Sequence, residues 1–351
     1  MILSKSSSFS TQNMDFSIIV PVFNSSKYIS DCFDSIFNQD SEINFEVIAI
    51  DDKSSDDSLN ILYNYASNEP RLKVLSNDVN QRPYKSRAIA ASKAIGKYIV
   101  HVDIDDYIAR DSLKILKSKI CLYDVDIIIC NWKMKYGDKE TVMYDINNEL
   151  ETNDKNLIQP YMMSMSPSKI VKRELVEKNI LKNNRFESNA DDLLYCTEIL
   201  FNSKNFLLIP DILYTNIVHK NSFTSVVSRN AAEFINGRII LLENLIILKN
   251  HYGENKNIFS PIMFKIYRQL SSYILIFQIK NNNSSFDITQ LTDNLIEFDF
   301  INEVNHYISD LKKMNEGLKN TIFIYLKKHG LKDFLHVIKK IILEKININT
   351  K

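Results

Sequence analysis

Apolar runs and helical apolar patterns alternate regularly along the N-terminal part of the chain. Four mainly apolar runs have the length of strands and cover residues 16–22, 45–50, 72–75 and 98–102, the first of them rich in β-branched residues. Between them, apolar residues recur at helical spacing over residues 26–38, 57–68 and 85–94. Strands that alternate with helices predict a mostly parallel, Rossmann-like sheet with helices on both faces. The expected fold class is therefore α/β.

The pattern changes towards the C-terminus. A helix is predicted over residues 111–122 and a strand over 125–132, followed by a polar stretch, 133–156, that is typical of an irregular or hairpin insertion. Residues 157–228 are predicted to mix helix and loop. From residue 230 onward helical periodicity dominates, most clearly over residues 239–248, 262–279 and 318–343.

These patterns divide the chain into three parts. Residues 1–14 form a Ser-rich lead-in that we expect to be disordered. Residues 15–229 form the α/β domain, and residues 230–351 form a helical region that is available for contacts with an acceptor, a second copy or a membrane.

Composition and charge exclude several classes of function. The chain has 43 Lys and Arg against 43 Asp and Glu, so its overall charge gives no reason to expect nucleic acid as a partner. Its four cysteines are scattered without a C-x-x-C pair, which fits reduced cytoplasmic thiols better than disulfides or a zinc site. The N-terminus lacks the apolar core of a secretory signal, and no apolar run reaches the ~20 residues that span a bilayer. The sequence predicts a cytoplasmic protein, soluble or at most peripheral on the inner face of the cell membrane.

Polar side chains follow three of the predicted strands at the point where each strand ends. They are Asn24 with Ser25, Asp51 with Asp52, and the acidic cluster from Asp103 to Asp106. Ligands of parallel α/β sheets bind beyond the carboxyl ends of the strands. These segments are therefore the first candidates for a functional site.

The acidic cluster is a candidate metal site. Asp103, Asp105 and Asp106 lie directly after a buried strand, where like charges repel and burial raises carboxyl pKa values unless a cation compensates. Carboxylates without neighbouring Cys ligands suit hard divalent ions such as Mn²⁺ or Mg²⁺. The alternative is a solvated turn in which one Asp caps the following helix.

Two further segments carry candidate chemistry. Asp191 and Asp192 precede an apolar helical face, where a carboxylate is either favourable charge near a helix N-terminus or a general base on a rigid helix start. His219 and Lys220 are candidates for contacts with phosphates or a metal, although an isolated histidine is more often structural or simply exposed.

Four segments in series resemble the family-two inverting glycosyltransferases of GT-A fold. They are Ile18 to Asn24, Val47 to Asp56, Ser86 to Ile99 and Val102 to Asp106, and they agree in order, spacing and strand context over about residues 16–110. The resemblance implies inverting transfer of a hexose or N-acetylhexosamine from a nucleotide sugar, with UDP as the nucleotide that the family favours. The acceptor it implies is a glycan or lipid-linked glycan of a bacterial surface polysaccharide or lipooligosaccharide.

The resemblance also implies roles for individual residues. The donor-contacting positions that it implies are Pro21, Phe23, Asn24, Asp51, Asp52, Arg87, Asp103, Ile104 and Lys220. Asp52 matches the aspartate that holds the uracil, and Asp103 matches the carboxylate near the ribose. Asp105 matches the ligand of a divalent metal that bridges the diphosphate, with Asp103 and His219 as the other candidate ligands. Asp192 matches the general base, with Asp191 as the second candidate.

Three departures from the family pattern concern this site. Lys53 replaces the usual Gly of an Asp-Asp-Gly-Ser turn, residues 81–83 replace a Gly-containing loop, and Asp191 replaces the usual Glu. They keep open a non-catalytic, sugar-binding protein of the same fold. A sugar nucleotidyltransferase is less well supported, because residues 21–25 lack the Gly-rich, basic loop that holds a triphosphate.

The C-terminal region has a basic pattern of its own. Lysines alternate with apolar residues at helical spacing over residues 326–343. This is typical either of a packed surface helix or of a basic amphipathic helix on an anionic membrane, and the latter would suit a lipid-linked acceptor. The preceding helices are equally consistent with a homodimer surface.

Overall fold

A computed structural model describes residues 14–40, 42–162, 166–178, 191–219 and 231–253, together with residues 259, 262 and 266. Within these ranges the chain is an α/β protein built on one mixed sheet. The compact unit that contains the sheet extends to Ile262.

Four parallel strands form the N-terminal half of the sheet. They are β1 (Phe16–Val22), β2 (Phe45–Asp51), β3 (Leu72–Ser76) and β4 (Tyr98–His101). They lie side by side in the order β3-β2-β1-β4, with Phe16 opposite Phe45 on one side and Tyr98 on the other. All residues of β2 and β4 are buried, which explains why these strands are mainly apolar runs.

Six more strands complete the sheet within the described ranges. They are β5 (Tyr107–Ile108), β6 (Ile127–Tyr136), β7 (Lys139–Met143), β8 (Leu150–Thr152), β9 (Lys169–Lys172) and β10 (Phe206–Ile217). Beyond β4 the order continues β9-β6-β10-β5, with β7 paired to β6 and β8 to β10. Because β9 is antiparallel to both β4 and β6, and β10 is parallel to β6, strands β6 and β10 run in the same direction as β1 to β4. The prediction of a mostly parallel sheet is confirmed.

Helices flank the sheet, as the alternating pattern predicts. Those that the structure describes are α1 (Ile29–Phe37), α2 (Ser58–Asn68), α3 (Arg82–Ala91), α4 (Ser112–Leu122), α5 (Lys155–Met162), α6 (Arg173–Glu177), α7 (Asp191–Asn202) and α8 (Ala231–Tyr252). Helix α3 begins three residues earlier than predicted, because Pro83 lies in its first turn, where a missing N–H costs nothing.

Alternate residues of β1 pack on opposite faces of the sheet. Ile18 and Val20 belong to a buried cluster with Phe33 of α1, whereas Ile19 packs in a second cluster with Ala90 of α3. This is the period-two alternation of a strand that is covered on both sides. It fixes α1 and α3 on opposite faces, close to the carboxyl ends of the strands.

At Gly96, two residues before β4, the backbone passes very close to the start of β1. A Cβ on Gly96 would lie 2.4 Å from the carbonyl carbon of Phe16 and from the backbone nitrogen of Ser17. The N–H of Gly96 donates to Oγ of Ser17 at 2.8 Å, and Oγ of Ser17 donates in turn to the buried carboxylate of Glu46 at 2.6 Å. Only glycine fits this crossing, which brings β4 alongside β1.

The main error of the sequence-based prediction lies in residues 157–228. We expected helix and loop there, but the structure forms β9 and the long strand β10. Pro210 and Asp211 interrupt the apolar pattern of β10 and imitate a strand end. In the structure they occupy a shift of register against β6 between Ile209 and Ile212, and the strand continues beyond it.

Predictions for the C-terminal region are only partly covered by the described residues. Helix α8 includes the predicted helix over residues 239–248 and extends it at both ends. The division near residue 229 stays a prediction. Nearly all of the predicted helices over residues 262–279 and 318–343, and the lead-in up to residue 13, lie outside the described residues.

The structure describes all four cysteines. None of the four forms a disulfide; Cys32, Cys130 and Cys196 are buried, and Cys121 is exposed. Among the described helices, none combines the length and the apolar character that crossing a bilayer requires.

Candidate functional site

The candidate residues gather at one edge of the sheet because of strand direction. β1, β2, β4 and β10 run the same way, so the residues after Val22, Asp51, His101 and Ile217 meet at the edge where these strands end. β1 lies between β2 and β4: the chain first adds strands on one side of β1, up to β3, and then adds β4 on the other side. Such a point is where α/β sheets bind ligands.

Arg87 links two of the candidate carboxylates. Its Nη2 donates to Oδ1 of Asp103, and its Nη1 lies 3.4 Å from Oδ1 of Asp192. Burial by itself lowers the pKa of Arg87, but the charges of Asp103 and Asp192 outweigh it and raise the pKa above its ordinary value. The guanidinium is therefore a permanent cation that joins α3, the end of β4 and the first turn of α7.

Asp103 keeps a raised pKa in spite of this ion pair. Burial is the largest cause, the Arg87 charge opposes it, and the charges of Asp192 and Asp105 add to it. The site thus holds more negative than positive charge, which favours binding of a further cation or of a hydrogen-bond donor.

Asp105 pairs with the histidine from the end of β10. Oδ2 of Asp105 lies 2.8 Å from Nε2 of His219, and Nδ1 of the same ring lies 3.3 Å from the hydroxyl of Tyr28. The rings of His219 and Tyr28 stack with centroids 5.0 Å apart. Sequence reasoning missed Tyr28, which precedes α1 and carries no motif of its own.

Asp106 has a different, structural role. Its carboxylate accepts hydrogen bonds from the hydroxyl of Tyr214, from Nδ2 of Asn216 at 3.0 Å and from the N–H of Ile217 at 2.7 Å. Burial, followed by the charge of Asp103, raises its pKa well above the ordinary value. The acidic cluster is therefore divided, because Asp106 binds the end of β10 while Asp103 and Asp105 remain at the site.

The second strand end is held by its own hydrogen bonds. Oδ1 of Asp52 accepts from Nδ2 of Asn77 and from the N–H of Gln81, both at 2.7 Å. Oδ2 of Asp51 accepts from the N–H of Ser54 at 3.2 Å, while its Oδ1 is buried without a partner among the described residues. Asn77 was missed, although it follows the end of β3 and the strand-end rule could have found it.

The first loop is bound tightly to the second. Oδ1 of Asn24 accepts from the N–H of Ser55 at 2.7 Å, and the N–H of Asn24 donates to Oγ of Ser54 at 3.0 Å. Phe23 is 48% exposed beside this contact. Lys53, which replaces the usual glycine, has a φ of 66°, in the left-handed region that favours glycine.

The remaining candidate residues differ in how much of them is described. Pro21 belongs to β1, opposite Ile50. Ile104 is only 6% exposed and packs in the core, so a contact with a nucleotide would come from its backbone. Asp191 begins α7, but its side chain lies outside the described residues, as does the whole of Lys220.

The donor set at this edge fits a metal only in combination with a ligand. No group of three or more His, Cys, Asp or Glu residues within the described ranges is placed to hold a metal ion. Asp105 and His219 supply one carboxylate and one imidazole, and a divalent ion there would need further oxygens, which a diphosphate offers.

The site and the fold together define the class of protein. Residues 17–180 match the family model of Glycosyl transferase family 2. This match confirms the resemblance to family-two glycosyltransferases over residues 17–180, and the predicted GT-A fold is confirmed.

Individual relatives are similar over part of their length. The poly(ribitol-phosphate) beta-N-acetylglucosaminyltransferase TarS of Staphylococcus aureus is 31% identical over 57% of this chain and 35% of its own. The minor teichoic acid biosynthesis protein GgaB of Bacillus subtilis is 25% identical over 91% of this chain and 35% of its own. The chain thus spans about a third of the length of these relatives.

A solved structure agrees with the architecture over most of the chain. The crystal structure of S. aureus TarS 1–349 in complex with UDP superposes with a TM-score of 0.57 at 25% identity. The match covers 83% of this chain and 81% of that chain.

Proposed function

We propose that this chain transfers a hexose or N-acetylhexosamine from a UDP-sugar to a hydroxyl of a bacterial cell-surface glycan, with inversion at the anomeric carbon. The observation that carries the proposal is the convergence of Arg87, Asp103, Asp105, Asp192 and His219 at the carboxyl edge of a GT-A sheet. The similarity to a transferase whose structure contains UDP supports the donor class.

Asp192 is the proposed general base. It lies in the first turn of α7, a 12-residue helix whose following residues are buried, so its carboxylate is carried on a rigid element. In a single in-line displacement, it accepts the proton of the acceptor hydroxyl while that oxygen attacks the anomeric carbon. The bond to the nucleoside diphosphate breaks in the same step, so the configuration inverts.

Arg87 is proposed to hold the donor-side carboxylate and the general base in position. Its bonds to Asp103 and Asp192 fix the spacing between the donor side and the base. A fixed geometry of this kind lowers the entropic cost of bringing the reacting groups together.

Asp105 and His219 are the proposed residues for a divalent ion, Mn²⁺ or Mg²⁺, with Asp103 nearby but bound to Arg87. Such an ion would supply Lewis-acid stabilisation of the negative charge on the departing diphosphate. The metal dependence is a proposal that rests on the chemistry of this pair, since the carboxylate of Asp105 suits a hard divalent ion and the imidazole of His219 is a further candidate ligand beside it.

The acceptor is proposed to be a polyol-phosphate or related cell-wall polymer. The names of the relatives, a poly(ribitol-phosphate) transferase and a teichoic acid biosynthesis protein, support this class. Contact with a membrane surface involves residues outside the described ranges, and dimerisation would involve α8 and the predicted helices after it. Both remain predictions. A cytoplasmic location is consistent with the cytosolic supply of nucleotide sugars and is proposed on that ground.

Calorimetric titration of UDP, GDP and CDP, with and without Mn²⁺, tests donor class and metal together. We expect Mn²⁺ to tighten UDP binding in the wild type, and this tightening to be lost in Asp105→Ala. Asp138→Ala is the matched control, because Asp138 is an exposed carboxylate on the β6–β7 turn. If a folded protein binds none of the nucleotides, the chain is better described as a non-catalytic relative of the same fold.

A further inference from the structure

Four polar atoms lie buried beneath the site without a hydrogen-bond partner among the described residues. They are Nε of Arg87, both ring nitrogens of His101 and the hydroxyl of Tyr195. The side chains are almost fully enclosed, with His101 only 1% exposed and Tyr195 6% exposed. Buried polar atoms almost always have a protein or water partner, so this group needs an explanation.

The three side chains, called the buried layer below, lie on α3, β4 and α7, the elements that the Arg87 guanidinium joins. The rings of His101 and Tyr195 meet edge to face with centroids 5.0 Å apart. His101 ends β4, two residues before Asp103, and Tyr195 lies three residues after Asp192, one turn along the same side of α7. Arg87 bonds to both of those aspartates through its Nη atoms, and its Nε is buried without a hydrogen-bond partner among the described residues.

The chemistry of this layer suits one enclosed water. His101 is only 1% exposed, and such enclosure favours an uncharged imidazole. A neutral imidazole offers one acceptor nitrogen, the Nε–H of Arg87 offers a donor, and the hydroxyl of Tyr195 offers either. A buried water typically makes about three hydrogen bonds to such groups.

We propose that His101 and Tyr195 hold a buried water against Nε of Arg87, and that they thereby position the guanidinium on Asp103 and Asp192. His101 and Tyr195 are then positioning residues, since neither touches the reacting atoms. The effect on turnover rests on the proposed function, whereas the water and its effect on stability do not.

The variants His101→Phe and Tyr195→Phe test the proposal, each with thermal unfolding and steady-state transfer. If the water is present, each variant removes one of its partners, and Tm falls by about 2–4 °C. We expect kcat for sugar transfer to fall about tenfold in each, and the double variant to fall no further, because both act through one water.

Tyr98→Phe is the matched control. Tyr98 is also fully buried on β4, but at its other end, where the hydroxyl donates to the carbonyl oxygen of Val125 at 2.7 Å. We expect this variant to lower Tm and to leave kcat unchanged, which separates general loss of stability from loss of positioning. If His101→Phe fails to fold, Tyr195→Phe removes a single oxygen and tests the same water.

Three results would overturn the proposal. The first is an unchanged or higher Tm in His101→Phe and Tyr195→Phe, since replacing polar atoms that lack partners by apolar ones is neutral or stabilising. The second is a lower Tm with unchanged kcat, and the third is a high-resolution crystal structure with no water at this position. If the wild type transfers no sugar to any acceptor, the proposed function fails, and Tm and the crystal structure decide this proposal alone.

Discussion

The hydroxyl of Tyr214 donates a hydrogen bond to the carboxylate of Asp106 and accepts one from the N–H of Asp103 at 3.3 Å. One tyrosine on β10 thus fixes both ends of the acidic loop that follows β4. Tyr214 is itself buried, and burial, followed by the charge of Asp106, raises its pKa well above the ordinary value. The loop that carries Asp105 therefore owes its shape to a strand that lies more than a hundred residues further along the chain.

Replacing Tyr214 by Phe is expected to destabilise the protein by ~1–3 kcal/mol, because the buried carboxylate of Asp106 loses one of its donors and the N–H of Asp103 loses an acceptor. Urea unfolding of the variant and the wild type measures the difference. Tyr63→Phe serves as a control, because Tyr63 is 41% exposed, and its loss of a hydroxyl should change the stability by less than ~0.5 kcal/mol. Equal effects of the two substitutions would contradict the role assigned to Tyr214.

Replacing Asp192 by Asn is expected to reduce transfer turnover by ~10²–10⁴-fold, the typical contribution of a general base. The affinity for UDP should change little, because Asn keeps the shape of the side chain next to Arg87. Turnover is measured as UDP release with acceptor, and affinity is measured by calorimetry.

Asp191→Asn is the companion variant that decides between the two candidate bases. Asp191 also belongs to the first turn of α7, so both substitutions change the charge at the same helix start. Full turnover in Asp192→Asn together with a large loss in Asp191→Asn would transfer the base assignment to Asp191.

The N-terminal half of the sheet was predictable because each of its strands is marked by residues that are adjacent in sequence. Strands β1, β2 and β4 are almost entirely buried, so each appears in the sequence as a mainly apolar run. Strand β10 was not predictable, because Pro210 and Asp211 occupy a shift of register that only pairing with β6 makes tolerable.

The composition of the site was predictable in part. Motifs identified Asp103, Asp105 and Asp106 together, and the resemblance implied roles for Asp103 and Asp105, but the structural role of Asp106 was missed. That role depends on donors that lie far away in sequence, such as Tyr214 and Asn216 on β10. Spacing within a motif carries no information about such contacts.

Replacing Lys53 by Gly is expected to stabilise the protein by roughly 0.5–1 kcal/mol. A non-glycine residue with left-handed φ costs the folded state about 1–2 kcal/mol, and Gly removes this cost. The greater conformational entropy of Gly in the unfolded state offsets about 0.5–1 kcal/mol of that gain. Lys53 has a φ of 66° and is exposed, so little packing is lost. Urea unfolding measures the change.

Asn24→Gly is the matched comparison for Lys53→Gly. Asn24 also has a positive φ, of 49°, but its side chain accepts a hydrogen bond from the N–H of Ser55 at 2.7 Å. Loss of that bond should outweigh the relief of strain, so we expect Asn24→Gly to be less stable than the wild type. Stabilisation by both substitutions would show that the contact between the two loops contributes little.

The four thiols are expected to divide into one reactive and three unreactive groups. Cys121 is exposed, whereas burial raises the pKa of Cys130 and of Cys196 to about 12 from the ordinary 9.0, and raises that of Cys32 as well. Because only the thiolate reacts, a shift from 9.0 to about 12 reduces its fraction at pH 8 by about a thousandfold. A thiol-reactive dye should therefore label one cysteine in the native protein and four after unfolding.

The same shifts predict how stability depends on alkaline pH. A group whose pKa is higher in the folded than in the unfolded state contributes stability that is complete below the unfolded value and is lost as pH rises. For Cys130 and Cys196 the contribution is thus present below pH 9 and is lost as pH approaches about 12. Replacing Cys196 by Ala should weaken the pH dependence of urea unfolding in this window, while Cys121→Ala should leave it unchanged. An equal pH dependence in Cys196→Ala and the wild type would show that burial of this thiol does not carry the effect.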